Sequence, residues 1–194
     1  MARPSQNIDK KLIEVGKKKL LERGISKLSV RAICIETKVN LGMFYYYFKT
    51  KENYVKILLQ TLAGGLRGYW LKETEWSANA ADKVKKVIFL NAKMIKEKRN
   101  IFETIVKDID FSDEFYINVI KGIRKSWNEF FLSLMDECKK EGFLDKNISS
   151  DKLAAVVFGG ANAFLQQGFI DGYNEQEIHN KTEEMVNLLF ERFK

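Results

Sequence analysis

After Pro4 the chain contains no proline, so 190 consecutive residues run without the strongest helix breaker. An interior proline costs a helix about 3 kcal/mol, and a chain free of it suits a mostly helical fold. Hydrophobic residues make up 45% of the sequence and charged residues 30%, enough apolar material to bury a sizeable core in a soluble globular protein. No uninterrupted apolar stretch reaches membrane-spanning length. The opening MARPSQNIDKKLIEVGKKKLL lacks the apolar block of a signal peptide, so a cytoplasmic location is expected.

Punctuation within the first third divides it into short helices. Ile8, Leu12, Val15, Gly16 and Leu20 recur on one side of a first helix over residues 8–23, which Gly24 is placed to stop. Ser29 is an N-cap candidate for a second helix over residues 30–37, with Val30 and Ile33 facing inward. Lys38-Val39-Asn40 forms the turn before a third helix over 41–48. Thr50 can cap a fourth helix starting at Lys51, where Glu52 suits the positive helix end. Two short helices separated by a tight turn are the arrangement that lays one helix across a DNA backbone and offers the next to the major groove.

Further along, apolar periodicity predicts a fourth helix over residues 51–74, a fifth over 82–98, a short sixth over 100–108, a seventh from Ser112 to Glu141, an eighth from Ser150 to Gly172 and a ninth capped by Asn174 and reaching Phe193. The expected fold is therefore all-α with about nine helices. No Gly/Ser/Pro linker falls near residue 50, so the two parts share the fourth helix. Domain limits of 1–50 and 51–194 follow.

Charge is distributed unevenly. Residues 1–60 hold 13 Lys/Arg against 5 Asp/Glu, whereas residues 61–194 hold 20 against 21. The whole net charge of +7 thus originates in the first third. A polyanion-binding head on a nearly neutral body is the natural inference.

Several function classes are disfavoured. Cys34 and Cys138 are too few for a disulfide framework or a metal quartet, and His179 is the only histidine. There is no nucleophile–base pair, Gly-rich phosphate loop or metal-ligand cluster, so neither an enzyme, a metal nor a cofactor is expected.

The residues Leu12-Ile13, Gly24, Ser29-Val30-Arg31-x-Ile33 and Val39-Asn40-x-Gly42-x-Phe44-Tyr45-x-Tyr47-Phe48-Lys49-x-Lys51-Glu52 together resemble the TetR family of transcriptional repressors. The likeness is close over residues 8–55; beyond them it extends to helix number and length. It implies a three-helix, helix-turn-helix DNA-binding head joined to a helical body that dimerises and binds a ligand. By this resemblance Leu41, Gly42 and Tyr45 lie at base edges, while Ser29, Tyr47 and Lys51 contact phosphate. Arg31 can reach a guanine O6/N7 pair, a contact worth about 1–3 kcal/mol of discrimination. Phe44 and Phe48, four apart, are read as core. Two departures from the family pattern are visible. Lys38 stands where glycine is common, and Leu41 is apolar, which favours contact with a thymine methyl over hydrogen bonding.

In the body, the resemblance pairs the eighth and ninth helices with those of a second copy, through Val157, Gly160, Ala161, Phe164, Met185 and Leu189. Trp70, Phe89, Phe115 and Trp127 are candidates to line a ligand cavity, with an apolar or aromatic effector favoured. The reading is a homodimeric repressor that binds a near-palindromic double-stranded DNA operator and is released by a small-molecule effector. The alternative is a DNA-binding architectural protein without effector control.

Overall fold

The computed structural model describes residues 7–193; the side chains of 95–104, 106, 164–166, 168–170 and 175 lie outside that description. Among the described residues there are eight helices and no strand: α1 (Ile8–Arg23), α2 (Val30–Thr37), α3 (Leu41–Phe48), α4 (Lys51–Thr74), α5 (Ala80–Val106), α6 (Glu114–Lys140), α7 (Ser150–Ile170) and α8 (Glu175–Arg192). The all-α expectation holds, with one helix fewer. The fifth and sixth expected helices are a single helix, α5. Neither glycine nor proline lies between Lys98 and Asn100, and one interior asparagine costs well under 1 kcal/mol, too little to stop a long helix.

The chain divides into two compact units. The first comprises the chain up to Gly65 together with Arg99–Ile123, and the second comprises Leu66–Lys98 with Arg124–Lys194. Helices α4, α5 and α6 therefore each contribute to both.

In the first unit the helix ends are fixed by side-chain caps. Ser29 Oγ accepts from Ala32 N at 3.3 Å, Asn40 Oδ1 from Met43 N at 2.8 Å, and Thr50 Oγ1 from Asn53 N at 3.0 Å. Each cap satisfies a backbone donor that the first helical turn leaves open, worth about 1 kcal/mol. Gly24 closes α1 at φ 81°, a conformation cheap only for glycine. Lys38 closes α2 at φ 57°, ψ 34°, so this lysine is held in the left-handed region, at a cost of about 1–2 kcal/mol. Lys49, after α3, lies at φ 63°, ψ −54°, and the Thr50 N–H reaches back to the Phe48 carbonyl at 2.7 Å. That is a strained three-residue γ-turn.

The core of this unit gathers Leu12 and Leu20 from α1, Ile33 from α2, Phe44 and Phe48 from α3, and Tyr54 and Leu58 from α4, all but fully buried. Burying one such side chain contributes about 1.5–3 kcal/mol. Tyr54 sits among Phe44 and Phe48 with ring centroids 4.8 and 4.7 Å away, and its hydroxyl donates to the Leu12 carbonyl. Burial pushes the Tyr54 phenol well above its ordinary pKa, with Cys34 adding to the shift, so it remains a donor. Gly16 makes room for this ring. A Cβ there would lie 1.9 Å from Tyr54 Oη.

The loop after α5 is clipped to the loop after α1. Ser26 donates to Asp108 Oδ2 through both its backbone N–H (2.9 Å) and its hydroxyl (3.1 Å). Burial works against ionisation of Asp108, but these donors outweigh it and hold the carboxyl below its usual range.

The second unit is built around Trp70, Val84, Val87, Met135, Leu153, Val157 and Val186, each no more than 2% exposed. Trp70 stacks on Phe130 with centroids 5.8 Å apart. Lys83 pairs with Glu137 at 2.6 Å. Asn174 and Glu177 form a reciprocal capping box at the start of α8. Cys138 is wholly buried, and burial, with Glu141 and Glu137 nearby, pushes its thiol up to about 12; it is a small core residue and no thiolate. In α4, the positions of Gly64, Gly65 and Gly68 all face open space, so no neighbour demands a glycine. Each costs the helix about 1 kcal/mol relative to alanine.

Candidate nucleic-acid interface and body cavity

The run Phe44–Phe48 cannot all face inward, and the helical period sorts it. Phe44 (0% exposed) and Phe48 (3%) fill the core, while Tyr45 (42%) and Tyr46 (62%) face outward. Leu41 is 48% exposed, Gly42 lies beside it on the surface, and Tyr47 is half-buried. The outer face of α3 therefore carries Leu41, Gly42, Tyr45 and Tyr46. Gly42 has a second reason to be small: a Cβ would stand 3.3 Å from Asn40 Oδ1, the acceptor that caps α3.

Arg31, exposed on α2, and Leu41 line one open concavity together with Cys34, Ile35, Lys38, Val39 and Asn40. The base-contact candidates Arg31 and Leu41 are thus brought together. Ile35, four residues after Arg31 and 71% exposed, shares the face of Arg31; it was not singled out from the sequence. An apolar residue within an otherwise amphipathic helix reads as core unless its phase is traced. Tyr46 was also missed, and Lys49 Nζ lies 5.4 Å from its ring centroid, within cation–π range.

The phosphate-contact candidates stand on three separate elements. Ser29 is exposed at the α2 cap, Tyr47 is half-buried near the end of α3, and Lys51 is half-buried as the first residue of α4. The Ser29 hydroxyl accepts the Ala32 N–H, which leaves its own proton to donate. The Lys19 ammonium is engaged elsewhere, 2.5 Å from Glu36, whose carboxyl it holds below the usual range through that hydrogen bond.

A second cavity, of about 70 Å³, lies within the second unit. Trp70 and Trp127 line it with Phe131 and Phe158, and Asn91 and Asn162 supply its amides. Trp70 and Trp127 are thus brought together; Phe89 and Phe115 are not among the lining residues. Phe89 packs edge-on against His179, and Phe115 lies in the first unit against Tyr116. Helical period locates an aromatic on a helix but does not say which neighbour that face meets.

Of the interface candidates, Val157 and Ala161 face the core of their own unit, at 0% and 3% exposure. Gly160 is exposed, Met185 and Leu189 are half-buried, and the side chain of Phe164 lies outside the described residues. The outward positions on these helices are instead Val156 (43%) and Leu188 (55%), with Ala155, Gly159 and Ala163 also exposed. Among the described residues, no helix is long and apolar enough to cross a membrane, and no group of three or more His, Cys, Asp or Glu side chains could hold a metal ion.

The profile of the family described as bacterial regulatory proteins, tetR family, matches residues 12–56. No curated protein matches the chain by sequence. Among solved structures, a candidate TetR-family transcriptional regulator from Rhodococcus sp. is 12% identical with a TM-score of 0.76, covering 95% of this chain and 98% of its own. The regulator FadR from Bacillus subtilis, solved with stearoyl-CoA, is 17% identical with a TM-score of 0.69, covering 93% and 97%. A candidate transcriptional regulator from Saccharomonospora viridis, solved with choline, is 11% identical with a TM-score of 0.70, covering 94% and 97%. Residues 12–56 thus carry the sequence pattern of the tetR family, and the chain as a whole has the fold of these solved TetR-family regulators.

Proposed function

We propose that this protein is a TetR-type repressor that binds a near-palindromic operator as a homodimer and is released by a small-molecule effector. The observation that carries this reading is the outward face of α3, where Leu41, Gly42, Tyr45 and Tyr46 stand exposed beside Arg31 and Ile35 on the most basic part of the chain. In this reading residues 1–50 are the DNA-binding domain and 51–194 the ligand-binding and dimerisation domain. Arg31 reads a guanine through its paired donors, and Leu41 and Ile35 give apolar surface to thymine methyl groups. Tyr45 adds its hydroxyl and ring at the base edges, and Gly42 lets the backbone close on the groove. Ser29, Tyr47 and Lys51 fix the register on phosphates and carry no sequence information of their own.

A two-fold dimer presents two copies of α3 about 34–36 Å apart, one turn of DNA. The proposed interface is the outer face of α7 and α8, with Val156, Gly160, Met185, Leu188 and Leu189 at the contact and Val157 and Ala161 bracing it from behind. The small exposed residues Gly159, Gly160 and Ala163 permit close approach of helices. For the effector, the body cavity beside Trp70 and Trp127 is the proposed site, supported by two ligand-bound structures of the same fold. Release requires that the effector favour a body arrangement in which the two heads no longer match the operator spacing. α4, which contributes to both compact units, is the proposed connection. The regulator acts in the cytoplasm and catalyses no reaction.

Selection of bound duplexes from a random library, with affinity followed against salt, tests the proposal. An enriched palindrome with half-sites one turn apart is expected. Salt-sensitive binding without enrichment would instead identify an architectural DNA-binding protein.

A further inference from the structure

Resting on the reading that α2 and α3 face an operator, we infer what the open concavity between them recognises. It takes the C5-methyl group of a pyrimidine close to the guanine read by Arg31, so operator affinity responds to cytosine methylation as well as to base sequence. Two large apolar side chains mark the face. Ile35 on α2 and Leu41 on α3 are both exposed, and both line the concavity together with Arg31. Half-buried Val39 and buried Cys34 add to its apolar surface. In the major groove the apolar group that a standard base edge offers is the C5-methyl of thymine, and 5-methylcytosine carries the same group at the same place.

The polar lining points to the same base edges. Arg31 and Lys38 bring donors and no acceptor. Asn40 Oδ1 already accepts from the Met43 N–H, and none of the lining residues is Asp or Glu. Glu36, next to Ile35 in the chain, is paired with the Lys19 ammonium on α1. Such a face offers little to adenine N6 and cytosine N4, whose amino groups need acceptors. It suits guanine O6 and N7, thymine O4 and a methyl group.

Spacing limits where the methyl group lies. Arg31 and Ile35 are four residues apart on one face of α2, a rise of about 6 Å, against about 3.4 Å per base pair. The methyl-bearing pyrimidine therefore falls within about two base pairs of the guanine. Methylation of a cytosine at that position adds the very group that Ile35 and Leu41 are placed to cover. Occupancy of the operator then has a second input, written on the DNA and independent of any small molecule.

The operator recovered by duplex selection is the probe, bound to full-length protein. Each of its thymines is replaced singly by deoxyuridine, which removes one methyl group and leaves every hydrogen-bonding atom in place. The informative thymine is one per half-site, within about two base pairs of the guanine whose preference Arg31→Ala relaxes. Its replacement should cost about three- to fivefold in affinity, the worth of one buried methyl group. At that same position 5-methylcytosine should bind about three- to fivefold more tightly than cytosine. Ile35→Ala and Leu41→Ala together should bring the thymine and deoxyuridine duplexes to equal affinity, whereas Arg31→Ala should keep their ratio. Equal affinity for thymine and deoxyuridine at every position would overturn the inference, as would a methyl effect that survives the double substitution. So would half-sites that hold no thymine near the guanine and gain nothing from 5-methylcytosine. The thymine–deoxyuridine comparison uses unaltered protein and decides the matter even if the double variant folds poorly. Failure of selection to enrich any operator would sink the regulator reading and this inference with it. An enriched operator indifferent to the methyl group would sink the inference alone.

Discussion

Replacing Gly16 with alanine sets two physical effects of opposite sign against each other. Gly16 lies within α1, where alanine is worth about 1 kcal/mol over glycine by helix propensity alone. Propensity therefore predicts a more stable protein. Packing predicts the reverse. The new Cβ would stand 1.9 Å from Tyr54 Oη, 2.7 Å from Cζ and 3.1 Å from Leu58 Cδ1. Tyr54 is fully buried and wedged between Phe44 and Phe48, so its ring has no free direction to yield. Overpacking of this kind costs about 1–3 kcal/mol, and displacing the hydroxyl from the Leu12 carbonyl costs about 1 more. The net expectation is a loss of about 1–3 kcal/mol. Urea unfolding of full-length protein measures it, with far-UV circular dichroism and amide exchange reporting the first unit. Tryptophan fluorescence reports the second unit alone, since Trp70, Trp76 and Trp127 all lie there. Tyr54→Phe removes Oη but leaves Cζ, so the double variant should recover about 1 kcal/mol relative to the sum of the single changes. A Gly16→Ala protein more stable than its parent would refute the reasoning.

Lys38→Gly should stabilise the first unit by about 0.5–1 kcal/mol, because glycine adopts φ 57° without strain; unchanged urea midpoints would show that the turn is not strained. Lys51→Ala is expected to weaken binding to all duplexes and flatten the salt slope by about one unit, whereas Arg31→Ala should relax preference at particular base pairs; identical behaviour of the two in a selection assay would erase the division between positioning and reading residues. Asp108→Asn should cost about 1 kcal/mol at pH 7 by weakening the clip to Ser26. Because the folded-state pKa of Asp108 is depressed, its contribution is complete above the unfolded-state pKa and disappears as pH falls through the folded value. Thermal melts from pH 7 to pH 3 should therefore converge for the two proteins at the acid end.

The first 74 residues could be read almost completely from the sequence, for a local reason. Ser29 and Thr50 mark helix starts through bonds that span three residues, the Asn40 of the expected turn caps α3 in the same way, and Gly24 marks a stop through its own φ. The division of α3 into a core face and an outward face likewise followed from the spacing of Phe44 and Phe48. What escaped depended on contacts distant in the chain. The hydroxyl of Tyr54 bonds to Leu12 across 42 residues, and Asp108 bonds to Ser26 across 82. Nothing local distinguishes Trp70, which meets the cavity, from Phe89, which meets His179. For the same reason the sequence did not reveal that Val157 and Ala161, candidates for the dimer interface, turn on α7 toward the core of their own unit while Val156 takes the outer position.

The glycines of α4 carry a kinetic meaning as well as an energetic one. Gly64, Gly65 and Gly68 together remove about 3 kcal/mol of helix propensity from one turn and a half, where the first compact unit gives way to the second. Backbone amides there open by local fluctuation, without waiting for the molecule to unfold. A proton-exchange clock would accordingly run fast in the middle of α4 and slow at Tyr54 and Trp70 on either side. Within this helix, exchange should be slowest around the buried Tyr54 and Trp70 and quickest between them.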